Sequence, residues 1–231
     1  MMHRKFTCTS ICTLLISMLL LCPASTARAQ KNIVAEVLDD SIPLFRNVAV
    51  SVDLFGAIQR QVSDYGQYEA SLRVNLKDKY FPVLELGLGD ANHDEDPITG
   101  ISVKTRAPYG RIGCDFNVMK NKHDDYRIYV GARYAFTSFD FDLAHPGVKD
   151  PVYGGTAQYG LEGERCNAHW LEGVFTVDAK ISGPVRLGWS VRYRRKVSAN
   201  LGSAGNVWYI PGFGRADNTN IGGTFNLTFE L

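Results

Sequence analysis

The chain has 231 residues, 45% of them hydrophobic and 21% charged, with a formal net charge of +1. Taking Arg4, Lys5 and Arg28 out of the 25 basic residues leaves 22 against 24 acidic for the rest, about −2, which argues against nucleic acid as a partner. Beyond the N-terminus no segment reaches the roughly 18 uninterrupted apolar residues of a membrane-spanning helix, so any crossing of a bilayer must use strands.

Residues 1–29 read as a secretory signal peptide. Arg4 and Lys5 supply the positive start, Ile11 to Leu21 the short apolar run, and Ala27-Arg28-Ala29 the small-residue cleavage site. Cys22 admits a second reading, a lipid-acylated N-terminus, but Leu21 stands before it where a small residue is expected. Residues 30–45 form a periplasmic linker and 46–231 the folded domain. Cys114 and Cys166 remain after export, on strands that are not neighbours, so both thiols are expected to be free.

From residue 46 a two-residue rhythm recurs about eight times. Near 46–58, Val48, Val50, Val52 and Leu54 oppose Ser51 and Asp53. Near 66–76, Tyr68, Ala70, Leu72 and Val74 oppose Glu69, Ser71 and Arg73. After a turn at Lys77-Asp78-Lys79, Leu84, Leu86 and Leu88 oppose Glu85 near 81–89. Near 109–119, Ile112, Cys114, Phe116 and Val118 oppose Arg111, Asp115 and Asn117. The segment 125–137 sets Tyr126, Ile128, Val130, Ala132, Tyr134 and Phe136 against Arg127, Tyr129 and Arg133. Near 168–181, Leu171, Phe175, Val177 and Ile181 oppose Glu172, Thr176, Asp178 and Lys180. The turn Ser182-Gly183-Pro184 leads to 185–196, where Val185, Leu187, Trp189, Val191 and Tyr193 oppose Arg186, Arg192, Arg194 and Lys196. The chain ends on Ile221 to Leu231, with Phe225, Leu227, Phe229 and Leu231 opposite Thr224, Asn226, Thr228 and Glu230.

Short turns join the second strand to the third, the fourth to the fifth and the sixth to the seventh. Long segments near 90–107, 138–167 and 197–220 make the other joins. Alternating short and long connections with an even strand count are the asymmetry of an outer-membrane barrel. A lipocalin-like soluble barrel shares the strand number but buries its apolar face. Here that face carries no Asp, Glu, Lys or Arg, as expected where a charge at mid-bilayer costs about 2–4 kcal/mol. The other face is crowded with both signs, and an eight-stranded interior is only wide enough for side chains to fill. Aromatics toward strand ends, Phe81, Tyr126 and Phe229 at one side and Tyr68, Tyr109, Tyr134 and Tyr193 at the other, suggest two interfacial girdles. The fold class expected is all-β, an eight-stranded antiparallel up-and-down transmembrane β-barrel.

The stretches Tyr109-Gly110-Arg111-Ile112-Gly113-Cys114-Asp115-Phe116-Asn117, Val130-Gly131-Ala132-Arg133-Tyr134-Ala135-Phe136 and Gly188-Trp189-Ser190-Val191-Arg192-Tyr193 form a recognisable set with Trp208-Tyr209-Ile210-Pro211-Gly212-Phe213-Gly214. Over roughly residues 45–225 they resemble an uncharacterised family of small Bacteroidetes-type outer-membrane β-barrel proteins, a domain of unknown function. The resemblance implies an outer-membrane barrel and brings no catalytic residues with it.

Candidate chemistry is sparse. Asp90, Asn92, Asp94 and Asp96 have the alternating oxygen spacing of a weak calcium site, but Glu95 stands where a turn glycine is expected. The same oxygens could instead bridge lipopolysaccharide through divalent ions, and the competing reading is a solvated acidic loop. His169 is the one candidate base for an enzyme acting on outer-leaflet lipid, but its neighbours Asn167 and Leu171 are not nucleophiles, which favours an interfacial structural histidine. His123 and His145 lie in turn or loop sequence. Arg192, Arg194 and Lys196 share a face and are expected to pair with inward carboxylates, the alternative being a place near lipid phosphates, and Trp208 to Gly214 reads either as a binding tip or as a loop folding over the barrel mouth. No cofactor and no catalytic activity are expected. The expectation is a monomeric outer-membrane protein in contact with membrane lipid, lipopolysaccharide and an extracellular ligand, with a structural or surface-interaction role. A lipid-modifying enzyme and a narrow solute channel are the alternatives.

Overall fold

Side chains that alternate in polarity every second residue leave the backbone extended, and extended segments must pair. A computed structural model of the chain describes residues 43–94, 100–149, 152, 154–205 and 207–231. The expected signal at 1–29, most of the 30–45 linker and Asp96 lie outside the described residues. Among those described, eight long strands close into a barrel of antiparallel neighbours: β1 (Phe45–Asp53), β2 (Tyr65–Leu76), β3 (Tyr80–His93), β4 (Ser102–Asn117), β5 (Tyr126–Lys149), β6 (Thr156–Ser182), β7 (Val185–Asn200) and β10 (Thr219–Glu230). A two-stranded hairpin, β8 (Tyr209–Ile210) with β9 (Gly214–Arg215), interrupts the last long connection.

The expected up-and-down order holds, and β1 meets β10 through five residue pairs, from Ala49↔Glu230 to Asp53↔Asn226. Strand bounds differ from the sequence reading in a consistent way. The segment 46–58 is not one strand: β1 stops at Asp53 and helix α1 (Leu54–Val62) follows. Asp53 causes the switch, its carboxylate accepting from Phe55 N at 3.0 Å and Gly56 N at 3.1 Å, which satisfies the first amides of a helix. The 138–167 segment is mostly strand as well, because β5 and β6 run on as a hairpin beyond the apolar band.

Turns β2–β3, β4–β5 and β6–β7 gather at one end. There Lys77 and Asp78 both hold φ near +55°, an unusual state for residues with side chains. The buried Asp78 carboxylate offsets the strain: it accepts from Asn75 Nδ2 at 2.7 Å, meets His123 Nδ1 at 2.6 Å and pairs with Arg46. This knot closes the turn end of the barrel.

Facing outward between that end and the rim are Tyr68, Leu72, Leu84, Leu86, Ile112, Phe116, Val130, Phe175, Trp189 and Val191, all exposed. No Asp, Glu, Lys or Arg interrupts this outward band on the strands. A row of charges then ends it: Asp90 stands opposite Arg106 and pairs with Arg60 at 3.3 Å, Asp140 stands opposite Arg165, and Arg195 is exposed on β7. From Tyr126 to Phe136 the band is ten steps of strand, about 25 Å along the axis at a tilt of roughly 40°. Tyr126, Tyr134, Tyr193 and Phe229 are outward as expected, whereas Phe81 and Tyr109 point into the barrel and are buried. Their odd register relative to Leu84 and Ile112 explains it, since both are aromatic but on the lumen parity.

Candidate functional site

The lumen is built in tiers of paired charge. In the upper tier Glu69, Glu85 and Glu172 lie among Arg111, Arg133, Arg192 and Arg194. Arg192 Nη1 reaches Glu85 at 2.6 Å and its Nη2 reaches Glu69 at 3.1 Å; Arg133 Nε reaches Glu85 at 3.1 Å; Arg111 Nε reaches Glu172 at 2.9 Å and its Nη1 binds Glu69. Trp170 Nε1 donates to Glu172 at 2.6 Å and the Tyr109 hydroxyl to Glu69 at 2.7 Å. In the lower tier Asp115 meets Arg133 at 2.8 Å and Arg73 at 3.2 Å, and Asp178 meets Arg186 at 3.0 Å. Burying an ion costs several kcal/mol even after relaxation, so these charges persist only because each meets several partners. A cavity of about 10 Å³ beside Arg73, Arg127 and Tyr129 lies below them, room for about one water.

Above the upper tier the lumen turns apolar. Inward residues of the extended strands, among them Tyr109, Ala135, Phe139, Cys166 and Trp170, pack with Val207, Ile210 and Phe213 from the last long connection. That connection enters the mouth as a stopper rather than lying across it. Gly212 takes φ +80°, and a Cβ there would sit 2.5 Å from the Tyr109 ring, so only glycine fits. The carbonyls so exposed are then used: Arg111 Nη2 donates to Gly212 O at 2.8 Å and Arg194 Nη1 to Phe213 O at 2.9 Å. Tyr209 donates to Gly66 O at 3.2 Å, and burial pushes its phenol up to about 12, keeping it a neutral donor. His93 stacks on Trp208, ring centroids 5.0 Å apart.

The residues singled out in the sequence fall in different places. Arg192 and Arg194 join the internal network as expected, while Lys196 donates to Ala216 O at 3.1 Å. Asp90 is engaged by Arg60, Asn92 Nδ2 donates to Asp94 at 3.3 Å, and Asp94 has Lys104 at 4.0 Å. Among the described residues no three His, Cys, Asp or Glu side chains converge on a metal position. His169 faces outward near the rim, its Nδ1 2.9 Å from the Tyr134 hydroxyl. The ladder also puts Ser198 directly across from it, a neighbour hidden in the sequence because it lies on the next strand. His123 is bound into the base by Asp78, and His145 Nδ1 accepts from Gly147 N at 3.0 Å. Cys114 and Cys166 are free.

A closed antiparallel ring with an ion-packed lumen and a mouth stopped by its own last connection defines a small up-and-down β-barrel protein. The chain belongs to the family described as a domain of unknown function (DUF6048), which matches residues 7–230. No curated protein matches it. Among solved structures it is similar to Ail, the attachment invasion locus protein of Yersinia pestis, in complex with the heparin analogue sucrose octasulfate: 8% identity, TM-score 0.38, covering 80% of this chain and 93% of that one. It is also similar to a major outer membrane protein from Thermus thermophilus, at 10% identity and TM-score 0.40, covering 80% and 98%.

Proposed function

We propose that this protein is an integral outer-membrane barrel with a structural or surface-interaction role, solvated by hydrocarbon around its uncharged band and presenting the β5–β6 hairpin to the outside. One observation carries the reading: the outward face is apolar and free of ionised side chains up to the Asp90–Arg106 row, and charged beyond it. Water would give no reason for so sharp a change, whereas a bilayer edge does. The paired, filled lumen speaks against a solute channel, and Tyr134 rather than Ser198 holds the His169 ring nitrogen, which speaks against a lipid hydrolase there.

The test is fractionation followed by a gel shift. The protein should enter the outer-membrane fraction and run faster unheated than boiled, and external protease should cut the β5–β6 hairpin while sparing the Lys77–Lys79 turn. Recovery as a folded monomer in buffer without detergent ends the reading. An unchanged lipid A profile in cells with and without the protein removes the enzyme alternative.

A further inference from the structure

Strand β10 outruns its neighbour on one side. Its register with β1 ends at Asp53↔Asn226, yet it stays paired with β7 as far as Thr219↔Arg195. Phe225 N, the first amide past the end of β1, finds the Asp53 carboxylate at 3.1 Å. By the alternation of a strand, Gly223 and Ile221 turn their N–H and C=O groups to that same edge, where no strand among the described residues lies beside them. In hydrocarbon such groups need a partner.

Helix α1 spans this gap without filling it. Gly66 allows its close seat, since a Cβ there would lie 2.5 Å from Arg60 N. What remains is a crevice of about 300 Å³, with Phe55 and Gln59 on the helix side, Ile221 and Gly223 on the strand side, and the buried Arg194 and the exposed Arg215 also lining it.

The two ends of the crevice differ in chemistry. Phe55 and Ile221, 45% and 74% exposed, extend the apolar outer band to its entrance. Behind them Arg194, 6% exposed, gives its Nη1 to Phe213 O at 2.9 Å and has Glu172 at 3.4 Å, but that carboxylate also holds Arg111 at 2.9 Å and Arg192 at 3.5 Å. Among the described residues Arg194 has no second carboxylate within 4.0 Å, and Arg215 has none. Guanidinium and strand-edge amide donors thus line a crevice with an apolar entrance, the arrangement that suits an anion carried on a hydrocarbon chain.

We propose that this crevice binds the phosphate-bearing headgroup of an outer-leaflet amphiphile, the phosphate accepting from Arg194 and Arg215 and the chains leaving across Phe55 and Ile221. The inference rests on the membrane reading above.

The full-length protein, folded in neutral detergent micelles and checked in every sample for the heat-modifiable band, is titrated with short-chain phosphatidic acid, with the matching diacylglycerol and with inorganic phosphate, read by native mass spectrometry. Phosphatidic acid should bind at least about tenfold more tightly than either of the others, and Arg215→Gln and Gly223→Trp should each weaken it at least about tenfold while keeping the band. Gly223 faces outward with room for a side chain, its Cβ position 3.5 Å from Ser190 O, so the tryptophan fills the entrance rather than the barrel wall. Equal affinity for free phosphate overturns the amphiphile, and equal affinity for diacylglycerol overturns the anion. An intact band with no phosphatidic acid bound, or binding untouched by Gly223→Trp, overturns the crevice alone. Loss of the band in the unmodified protein overturns the membrane reading with it.

Discussion

Arg111 Nη2 donates to the carbonyl of Gly212 across 2.8 Å, tying the deepest point of the mouth stopper to the charge tier beneath it. The same guanidinium holds Glu69, Glu85 and Glu172, so it joins stopper to lumen, as Arg194 does between Phe213 O and Glu172. Arg111→Met should remove about 3–5 kcal/mol, because the buried carboxylates of Glu69, Glu85 and Glu172 and a carbonyl lose a donor together. Urea unfolding in micelles, followed by loss of the fast-migrating band, measures this; a loss under about 1 kcal/mol would show that neighbouring arginines compensate.

Gly212→Ala should loosen the stopper without opening the barrel. Its positive φ and the Tyr109 ring in the path of a Cβ together disfavour alanine by roughly 1–3 kcal/mol. Faster protease cleavage at Arg215 with an unchanged gel shift is the expected pattern. Equal cleavage rates would mean the loop holds its place by apolar packing alone.

Removal of Asp53 should act on helix α1 and the β10 edge at once, since its carboxylate serves Phe55 N, Gly56 N and Phe225 N. Asp53→Ala should destabilise the protein by about 1–2 kcal/mol, with Asp53→Asn recovering part of it. Hydrogen exchange localised to 54–62 and 219–225 reports the effect; protection unchanged there contradicts the capping role.

Depth dependence tests the outward band. Phe175→Arg, mid-band, should cost about 2–4 kcal/mol of folding free energy into lipid bilayers, and Asn167→Arg, near the charged row, about 1 kcal/mol or less. Equal penalties at both depths are the outcome that a hydrocarbon surrounding cannot produce.

Deletion of the stopper should leave the barrel electrically silent. Replacing 207–215 by a short Gly-Ser turn removes Ile210 and Phe213, but Glu69, Glu85 and Glu172 with their arginines still fill the bore. Planar-bilayer recordings should show no unitary conductance, and steady openings would place the seal in the stopper instead.

Most of the barrel wall was legible residue by residue, because lipid or solvent on one side and a crowded lumen on the other impose opposite polarity on successive side chains. Legibility failed where that contrast changes. Beyond Ser138 the outward residues become Asp140 and Asp142 while Phe139 and Phe141 point in, so the apolar parity inverts and a strand looks like a loop. At Leu54, a run of apolar residues after Val52 continues the strand pattern, and Asp53 ends it through a hydrogen bond made only after the chain turns.

The crevice was not legible at all. Ile221 and Gly223 read as ordinary strand residues, and their unpaired edge exists only because β1 is shorter than β10. The Ser198–His169 juxtaposition was hidden for the same reason, being a matter of register between strands rather than of order along one.

By itself the order of residues determined the wall: which side chains face out, where the short turns fall, and that charges of both signs must share a narrow interior. Those are local consequences of a period of two, readable without knowing any partner. Tertiary structure alone decided which arginine answers which carboxylate, that Ile210 and Phe213 are driven into the mouth, and that helix α1 leaves a gap beside β10. Such outcomes depend on distances between residues far apart in the chain, which closure of the ring sets and no local pattern encodes.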